Sequence, residues 1–443
     1  MAGTRRLAHL PGEWGPPVIG NTFQDLRDPR GYTRRMYDRH GPVYRHRLFF
    51  KPQVALIGPQ ANEWFLLDRE RVLSSAGGWM PFLAGLFDRG LMLLDFDEHR
   101  LHRRIMGQAF KAPAMRRYCM RMDAAIPTAI AAWGRTGSFR FYDAIKRLSL
   151  DLATEIFLGL PPGPESARIN RALTDMVQAA MALIRRDLPG TRFGRGRAGR
   201  RFMERFLFPR IERRRAEGAR GDDTLSLLVR AEDEEGRRLS DRQIVDHLIF
   251  LWMAAHDTIT SSTTTLVYEL VRHFDWQERL RAEVMGLGLE RLDHENLGRL
   301  MLVEAAFKEA LRLNAPVPGL PRLTLRDTSF AGHEIPAGTL VGISPTFVHR
   351  MKEIWDAPER FDPLRFTDAG GAKTRHRFAW VPFGGGAHMC LGLHFAYMQA
   401  KLLMFHLLRE WRLEPIRHPY ETRFQIMPLT RPRDGLPIRM RRL

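Results

Sequence analysis

One stretch of the sequence, Leu239 to Phe274, carries apolar residues at the three- and four-residue spacing of an α-helix. At 1.5 Å per residue such a helix runs for about 50 Å, which is enough to cross the whole molecule. Shorter stretches share this periodicity, and strand-like runs are few. The helical stretches are Ile126–Trp133, Ser149–Leu158, Ile169–Arg185, Phe202–Ala216, Leu300–Leu313 and Leu393–Trp411, and the strand-like runs are Val43–Leu48, Gln53–Ile57 and Thr339–Ile343. The sequence therefore predicts a mainly α-helical fold with a small β domain.

The chain of 443 residues is long enough to bury a large core around a bulky cofactor. Its two cysteines, Cys119 and Cys390, sit in different surroundings, which argues against a disulfide framework and for a reducing compartment. No stretch approaches the roughly 20 uncharged apolar residues that span a bilayer. We therefore expect a cytoplasmic protein without a transmembrane segment.

The formal net charge is +19 and comes mostly from arginine. Such an excess attracts acidic partners, whether nucleic acid, an anionic membrane surface or an acidic electron-transfer protein. The run from Arg192 to Arg201 is rich in arginine and glycine and lies between two predicted helices, so we expect a mobile loop there. Nucleic acid is not an expected partner, because the stacking aromatic residues and fold motifs of nucleic-acid binders are missing.

The most specific chemical signal is a glycine-rich loop, Phe383 to Gly392, that runs into the amphipathic helix beginning near Leu391. The loop places the Cys390 thiol at a helix N-terminus, where the helix dipole and free backbone N–H groups stabilise a thiolate. Its glycines let the backbone approach a flat ligand closely. An iron-bound cysteinate requires this environment, because electron donation from the sulfur favours cleavage of the O–O bond.

This loop resembles the haem loop of cytochrome P450 proteins, Phe-x-x-Gly-x-(His or Arg)-x-Cys-x-Gly, at every defined position. The resemblance implies the cytochrome P450 fold, with haem b (iron protoporphyrin IX) between the long central helix and the cysteine-loop helix. It implies Cys390 as the metal ligand, with Phe383, Gly384, His388 and Gly392 around the cofactor. It covers essentially the full chain, so we expect a single domain over 1–443 with a β-rich lobe mainly from 40–60 and 315–345.

The long helix carries polar groups in its apolar middle, where they would be costly without partners. The Thr258 hydroxyl can bond back to the carbonyl of Ala254, leaving a groove for dioxygen and water over the haem. The segment resembles the family's oxygen-activation motif, which implies that Asp257 and Thr258 are catalytic in proton delivery. Ala255 replaces the usual glycine, which leaves the depth of the groove open.

Three further segments match family positions in order. His99 and Arg103, one helical turn apart, together with Arg322 and His388, are expected to bind the haem propionates. The resemblance also implies a buried structural ion triad behind the haem, formed by Glu309, Arg312 and Arg360.

The implied reaction inserts one oxygen atom of O2 into a hydrophobic small molecule, with lipid- or terpenoid-like compounds indicated by similarity to sterol-, retinoid- and fatty-acid-oxidising relatives. The chain has no flavin or iron–sulfur motif, so electrons are expected from a ferredoxin or flavodoxin with its reductase. Docking is expected on basic residues: Lys373, Arg375, Arg377, Arg103 and Arg104. The expected substrate-binding residues are Trp79, Met80, Phe82, Leu83, Phe87, Met181, Ile184, Val317, Leu320, Leu429 and Thr430.

Two other functions compete with this interpretation. One is a peroxide-driven haem peroxygenase, although family members of that kind usually lack the acid–alcohol pair that Asp257 and Thr258 form here. The other is a non-catalytic haem sensor or basic nucleic-acid-binding protein, which salt-sensitive binding to nucleic acid without turnover would favour.

Overall fold

The computed structural model describes residues 5–182, 184–371, 374–427 and 429–443. The helices within these ranges are α1 (Thr22–Arg27), α2 (Pro29–His40), α3 (Pro59–Leu67), α4 (Ser75–Leu83), α5 (Phe96–Gly107), α6 (Ala112–Gly134), α7 (Phe141–Leu158), α8 (Pro164–Ala180), α9 (Arg192–Ala216), α10 (Thr224–Arg230), α11 (Asp241–Arg272), α12 (Phe274–Gly286), α13 (Met301–Leu313), α14 (Pro345–Val348) and α15 (Leu393–Glu410). The strands are β1 (Val43–Leu48), β2 (Lys51–Leu56), β3 (Leu73–Ser74), β4 (Phe139–Arg140), β5 (Leu320–Thr324), β6 (Thr328–Phe330), β7 (His333–Ile335), β8 (Leu340–Ile343), β9 (Trp411–Pro415), β10 (Phe424–Gln425), β11 (Arg431–Pro432) and β12 (Pro437–Arg442). The predicted mainly α-helical class with small sheets is confirmed.

The chain divides into two compact units. The first contains Met1–Pro81, Lys308–Cys390 and Phe424–Arg431. Its five-stranded sheet has the order β1-β2-β8-β5-β3, in which β2 and β8 are parallel and the other neighbours antiparallel. Buried apolar side chains on one face of this sheet, such as Val54 and Val341, form one core cluster, and those on the other face, such as Tyr44 and Ala55, form a second. The segments 40–60 and 315–345 both fall in this unit, and the single-domain organisation stays a prediction.

The second unit contains Phe82–Phe307, Leu391–Arg423 and Pro432–Leu443. It holds most of the helices and a three-stranded sheet of order β4-β12-β9. The predicted long helix is α11, with 32 residues. It begins where Ser240 and Gln243 form a capping box: Gln243 N–H donates to the Ser240 hydroxyl at 3.3 Å, and Ser240 N–H donates to Gln243 Oε1 at 2.9 Å.

The arginine- and glycine-rich run is helical, so the predicted mobile loop at 192–201 is wrong. Helix α9 begins at Arg192, and two of its glycines, Gly196 and Gly199, face α8. A Cβ at Gly196 would collide with the Cβ of Ala179, and one at Gly199 would lie 2.6 Å from the carbonyl oxygen of Ala172. Glycine therefore serves close helix packing here, although its low helix propensity is typical of a loop.

Within the described residues, the helices include none that combines the length and apolar composition needed to cross a bilayer.

Candidate active site

The cysteine loop, residues 383–390, lies in the first unit and ends at Cys390. The amide N–H of Cys390 donates to the carbonyl oxygen of Phe383 at 2.9 Å, which closes the loop on itself. Gly384 and Gly386 have φ angles of 68° and 60°, a left-handed conformation that favours glycine. A Cβ at position 386 would collide with the carbonyl oxygen of Leu66, which lies in α3. Only glycine at this position therefore lets the loop pack against α3. The loop therefore has a fixed path, and it presents Cys390 as an exposed residue.

Two indole N–H groups of the first unit, those of Trp79 and Trp380, are buried and have no hydrogen-bond partner among the described residues. The Trp380 ring packs against that of Phe383 in the cysteine loop, with ring centroids 6.2 Å apart. Gly78, next to Trp79, presses on β5, since a Cβ there would lie 2.7 Å from the Cα of Arg322. Buried donors of this kind need an acceptor. The carboxylates of a haem would supply one, so the residues fit that group.

The candidate propionate ligands divide between the units. In the first unit, Arg322 is almost fully buried on β5, with its guanidinium 5.3 Å from the centre of the Phe65 ring, and His388 lies in the cysteine loop. In the second unit, His99 and Arg103 lie on α5, where His99 is buried and Arg103 half-buried. The structure thus brings Cys390, Phe383, Gly384 and His388 together in one loop, and His99 and Arg103 on one helix.

Glu309 and Arg312 form a fully buried ion pair in the first unit. Arg312 Nε and Nη2 donate to the two carboxylate oxygens of Glu309 at 2.7 and 2.8 Å. The prediction that Arg360 is the third member of the triad is wrong. The Arg360 side chain is 67% exposed and pairs with Asp362 at 2.9 Å. Only the carbonyl oxygen of Arg360 contacts Arg312. Besides Arg312, the basic side chain of Arg365 reaches Glu309, with Nε 3.3 Å from Oε1 of the carboxylate.

Asp257 is buried on α11 between two basic side chains of the second unit. Its Oδ1 lies 3.1 Å from Nζ of Lys146, on α7, and 3.2 Å from Nε2 of its neighbour His256. Burial raises the pKa of Asp257, but the nearby charges of His256 and Lys146 outweigh it, so that the pKa lies below its ordinary value of 3.8. Asp257 is therefore held as a carboxylate.

The hydroxyl of Thr258 donates to the carbonyl oxygen of Ala254 at 2.6 Å, as predicted from the sequence. The same back-bonding repeats along the helix: Thr260 donates to the carbonyl of His256 at 2.7 Å, and Thr264 to that of Thr260 at 2.6 Å. Each such bond competes with the helical ladder. The Thr258 oxygen keeps its lone pairs, so it can accept a hydrogen bond from a water molecule.

The expected substrate-binding residues differ in exposure. In the first unit Met80 is exposed, Thr430 is buried, and the others are half-buried: Trp79, Val317, Leu320 and Leu429. In the second unit Leu83 and Phe87 are buried, Phe82 and Met181 are half-buried, and Ile184 is 68% exposed. Residues 82–87 are expected to form a lid segment. Arginines bind carbonyl groups of this segment: Arg185 donates to those of Phe82 and Ala84, and Arg197 to that of Gly85.

Sequence reasoning missed Lys146, Arg365 and Arg185. Arg365 had a local signal, since it follows Asp362 and Pro363 in the same segment as Arg360. Lys146 and Arg185 had none, because each meets its partner only through the tertiary fold.

Among the residues named for partner docking, Lys373 lies outside the described residues. Arg375 donates to the carbonyls of Arg365 and Gly370 at 2.8 and 2.6 Å.

The comparisons with known proteins agree on one family. Residues 10–434 match the Cytochrome P450 family model. The chain is 39% identical to a Putative cytochrome P450 136 of Mycobacterium tuberculosis, over 98% of this chain and 89% of that protein. It is 30% identical to a Putative cytochrome P450 120 of Synechocystis, over 98% of this chain and 97% of that protein. The solved structure of retinoic acid-bound cyanobacterial CYP120A1 covers 98% of this chain and 99% of its own, with a TM-score of 0.89 and 29% identity.

The chain belongs to the cytochrome P450 family. It is accordingly an oxidoreductase, a haem-thiolate monooxygenase that uses O2, hydrophobic substrates and electrons from a redox partner.

Proposed function

We propose that this chain hydroxylates a lipid- or terpenoid-like small molecule, with Cys390 as the sulfur ligand to the iron of haem b. The observation that carries this proposal is the cysteine loop. Its left-handed glycines and the bond from Cys390 N–H to the Phe383 carbonyl hold a thiol exposed at one fixed position. The second cysteine, Cys119, is a poor ligand because it is fully buried and burial raises the pKa of its thiol to about 12.

The remaining haem contacts are assigned to side chains that suit its polar edge. His99, Arg103, Arg322 and His388 would bind the propionates, and Gly384 and Gly392 would let the backbone lie close to the ring. Ala254 and Phe383 complete the cofactor site. Bound there, haem supplies the oxidising chemistry, while the chain binds substrate, excludes water and delivers protons.

Proton delivery is assigned to Asp257 and Thr258. A buried carboxylate with a low pKa accepts a proton only briefly and passes it on readily. The Thr258 hydroxyl is fixed by its bond to the Ala254 carbonyl and can order a water molecule next to it. This acid–alcohol pair supports a monooxygenase over a peroxide-driven enzyme, and product formation from peroxide alone at the rate seen with a reduced partner would reverse that choice.

The substrate class is supported by the apolar character of the candidate pocket residues and by the names of relatives. Similar proteins include a Taxane 10-beta-hydroxylase of Taxus cuspidata, 27% identical, and a Beta-amyrin 28-monooxygenase of Saponaria officinalis, 28% identical. The similar cyanobacterial structure carries retinoic acid. We therefore propose a large, mostly apolar substrate, to be found by screening retinoid, diterpenoid and triterpenoid libraries for a shift of the haem spin state.

Electron supply is assigned to an acidic ferredoxin or flavodoxin with its reductase, in the cytoplasm. The net charge of +19 supports an acidic partner. Electron transfer should slow as salt rises, because exposed charges are screened within about 10 Å at 0.1 M salt.

The deciding experiment compares two single-cysteine variants. We expect Cys390→Ser to lose the thiolate-type spectrum of the reduced carbon-monoxide complex. Cys119→Ala should keep this spectrum, because Cys390 remains. Each variant retains one cysteine, so the comparison tests which of the two is the ligand. A thiolate-type spectrum in Cys390→Ser would overturn the assignment of the ligand and with it the proposed function.

A further inference from the structure

A group of large apolar side chains is exposed on the first unit, on the segment 18–26 and on the turn between β1 and β2. Single apolar side chains on a surface are common, whereas a group of them with a polar rim marks a site of contact with a partner or a membrane. We call this group the apolar patch. Its members are Val18 (68% exposed), Ile19 (36%), Phe23 (69%), Leu26 (41%) and Phe50 (57%).

Hydrogen bonds join the two parts of the apolar patch. The amide N–H of Asn21 donates to the carbonyl oxygen of Arg47 at 2.8 Å, and the amide N–H of Phe49 donates to the hydroxyl oxygen of Thr22 at 2.9 Å. A Cβ at Gly20 would collide with the same carbonyl oxygen of Arg47, so glycine lets this segment press onto β1. The beginning of α1 and the hairpin turn therefore lie side by side and form one surface.

The backbone under two of the patch residues is unusual. The turn between β1 and β2 consists of Phe49 and Phe50, with φ angles of 50° and 67°. A two-residue hairpin turn with both residues at positive φ favours Asn-Gly. Val18 also has a positive φ, 66°, where a branched side chain is rare. The fold alone would favour Asn or Gly at positions 18 and 50, so their exposed apolar side chains point to a contact outside the chain.

Basic side chains lie at the edge of the patch. Arg27 follows Leu26 at the end of α1, and Lys51 follows Phe50. Both are exposed, and neither forms an ion pair with a described residue. The segment 13–51 carries eight Arg and Lys residues against four Asp and Glu residues. A lipid surface with acidic headgroups matches both features, because its acyl boundary takes up apolar side chains and its phosphates attract basic ones. The core of a protein–protein interface is instead depleted in lysine.

We propose that the apolar patch docks this protein on the surface of a bilayer that contains acidic phospholipids. Val18, Phe23 and Phe50 enter the boundary between headgroups and acyl chains, and Arg27 and Lys51 bind the headgroup phosphates. The contact is peripheral and reversible, because a few side chains bury far less apolar area than a spanning helix. This inference goes beyond the proposed function and does not depend on it.

The first test measures how the holoenzyme partitions onto vesicles. Sedimentation with vesicles of phosphatidylcholine and phosphatidylglycerol is compared with sedimentation with phosphatidylcholine alone, and we expect stronger binding to the acidic vesicles. Phe23→Ser should weaken this binding about tenfold or more, because it removes the transfer of a phenyl ring out of water. Lys51→Gln should weaken binding to acidic vesicles about fivefold and leave binding to neutral vesicles unchanged.

Two further variants separate loss of docking from loss of folding. Phe50→Asn and Val18→Asn introduce a residue that tolerates a left-handed backbone. Both should therefore unfold at the same or a higher denaturant concentration than the wild type, and still bind acidic vesicles about tenfold more weakly. Two exposed control sites lie in the second unit: Met301→Ser, at a side chain that is 72% exposed, and Lys111→Gln should each bind like the wild type.

Hydrogen exchange locates the contact. Acidic vesicles should slow exchange several-fold at the amides of 18–27 and 48–51, and leave the turn at 217–219 unchanged. Wild-type binding in both Phe23→Ser and Phe50→Asn would overturn the proposal, because the net charge of +19 alone would then hold the protein on the vesicles. A wild-type protein that dimerises without vesicles, together with a monomeric Phe23→Ser, would overturn it in favour of a second copy as the occupant of the patch.

Discussion

The guanidinium of Arg185 donates to the carbonyl oxygen of Ala84 at 2.7 Å, and its other terminal nitrogen donates to that of Phe82 at 2.8 Å. Arg185 also lies over the ring of Phe193, at 4.7 Å from the ring centre. One side chain from the segment after α8 therefore holds two backbone groups of the lid segment. Arg197 and Arg200 add bonds to the carbonyls of Gly85 and Leu86.

We predict that Arg185→Ala loosens this lid. Carbonyl groups that lose a charged donor must find water, so the segment should open more often. Hydrogen exchange at the amides of residues 82–90 should become several-fold faster in the variant. The neighbouring Arg186, whose side chain is exposed, provides the control: Arg186→Ala should exchange like the wild type. Equal exchange in both variants would show that Arg185 does not hold the lid.

The corrected ion triad gives the second prediction. Arg365 is 7% exposed and reaches buried Glu309, whereas Arg360 is 67% exposed and pairs at the surface. Removing a charge next to a buried carboxylate is costly, and removing an exposed one is nearly neutral. Arg365→Met should lower the free energy of unfolding by about 1–3 kcal/mol, and Arg360→Met by less than about 0.5 kcal/mol, in chemical denaturation. The reverse order would restore Arg360 to the triad.

The sequence carried the elements with strong local patterns. Strand β1 matches its predicted bounds, and α11 lies within two residues of the predicted helix at each end, because apolar periodicity and the capping residues act locally. The cysteine loop could be identified from the sequence because its glycines and cysteine lie in one contiguous segment, 383–392, whose conformation depends on its own backbone. Lys146 was missed because its partner, Asp257, is distant in sequence, whereas Arg365 lies in the same segment as Arg360, to which the resemblance assigned its role.

The prediction of a mobile loop at 192–201 was wrong for a different reason. Local propensity favours a loop for a segment with three glycines, and tertiary packing against α8 overrides it. We predict that Gly196→Ala destabilises the protein by about 1–3 kcal/mol, since the added methyl group must displace α8 at Ala179. Gly286, the last residue of α12, has nothing within 4 Å of its missing Cβ. Gly286→Ala should therefore be neutral or stabilise by up to about 1 kcal/mol, and equal losses in both variants would exclude close packing as the role of Gly196.

The buried histidine pair of the second unit predicts how stability depends on pH. Nε2 of His247 lies 2.7 Å from Nδ1 of His102, and burial, reinforced by the charge of His102, lowers the pKa of His247 to about 3 from its ordinary value of 6.5. Between pH 6.5 and about 3, His247 is protonated in the unfolded chain and stays neutral in the folded chain. Proton binding therefore favours the unfolded chain, and the free energy of unfolding decreases as the pH falls from 6.5 towards 3. The slope is about 1.4 kcal/mol per pH unit for one proton.

His247→Gln removes the titrating group and keeps a side-chain amide near His102. Between pH 6 and 4 its free energy of unfolding should fall less steeply than that of the wild type, by roughly 1 kcal/mol per pH unit. The exposed His394 is the control, and His394→Gln should follow the wild-type slope. Denaturant titrations at several pH values provide the measurement. Parallel slopes for wild type and His247→Gln would mean that His247 titrates alike in the folded and unfolded chain, which its complete burial against a second imidazole argues against.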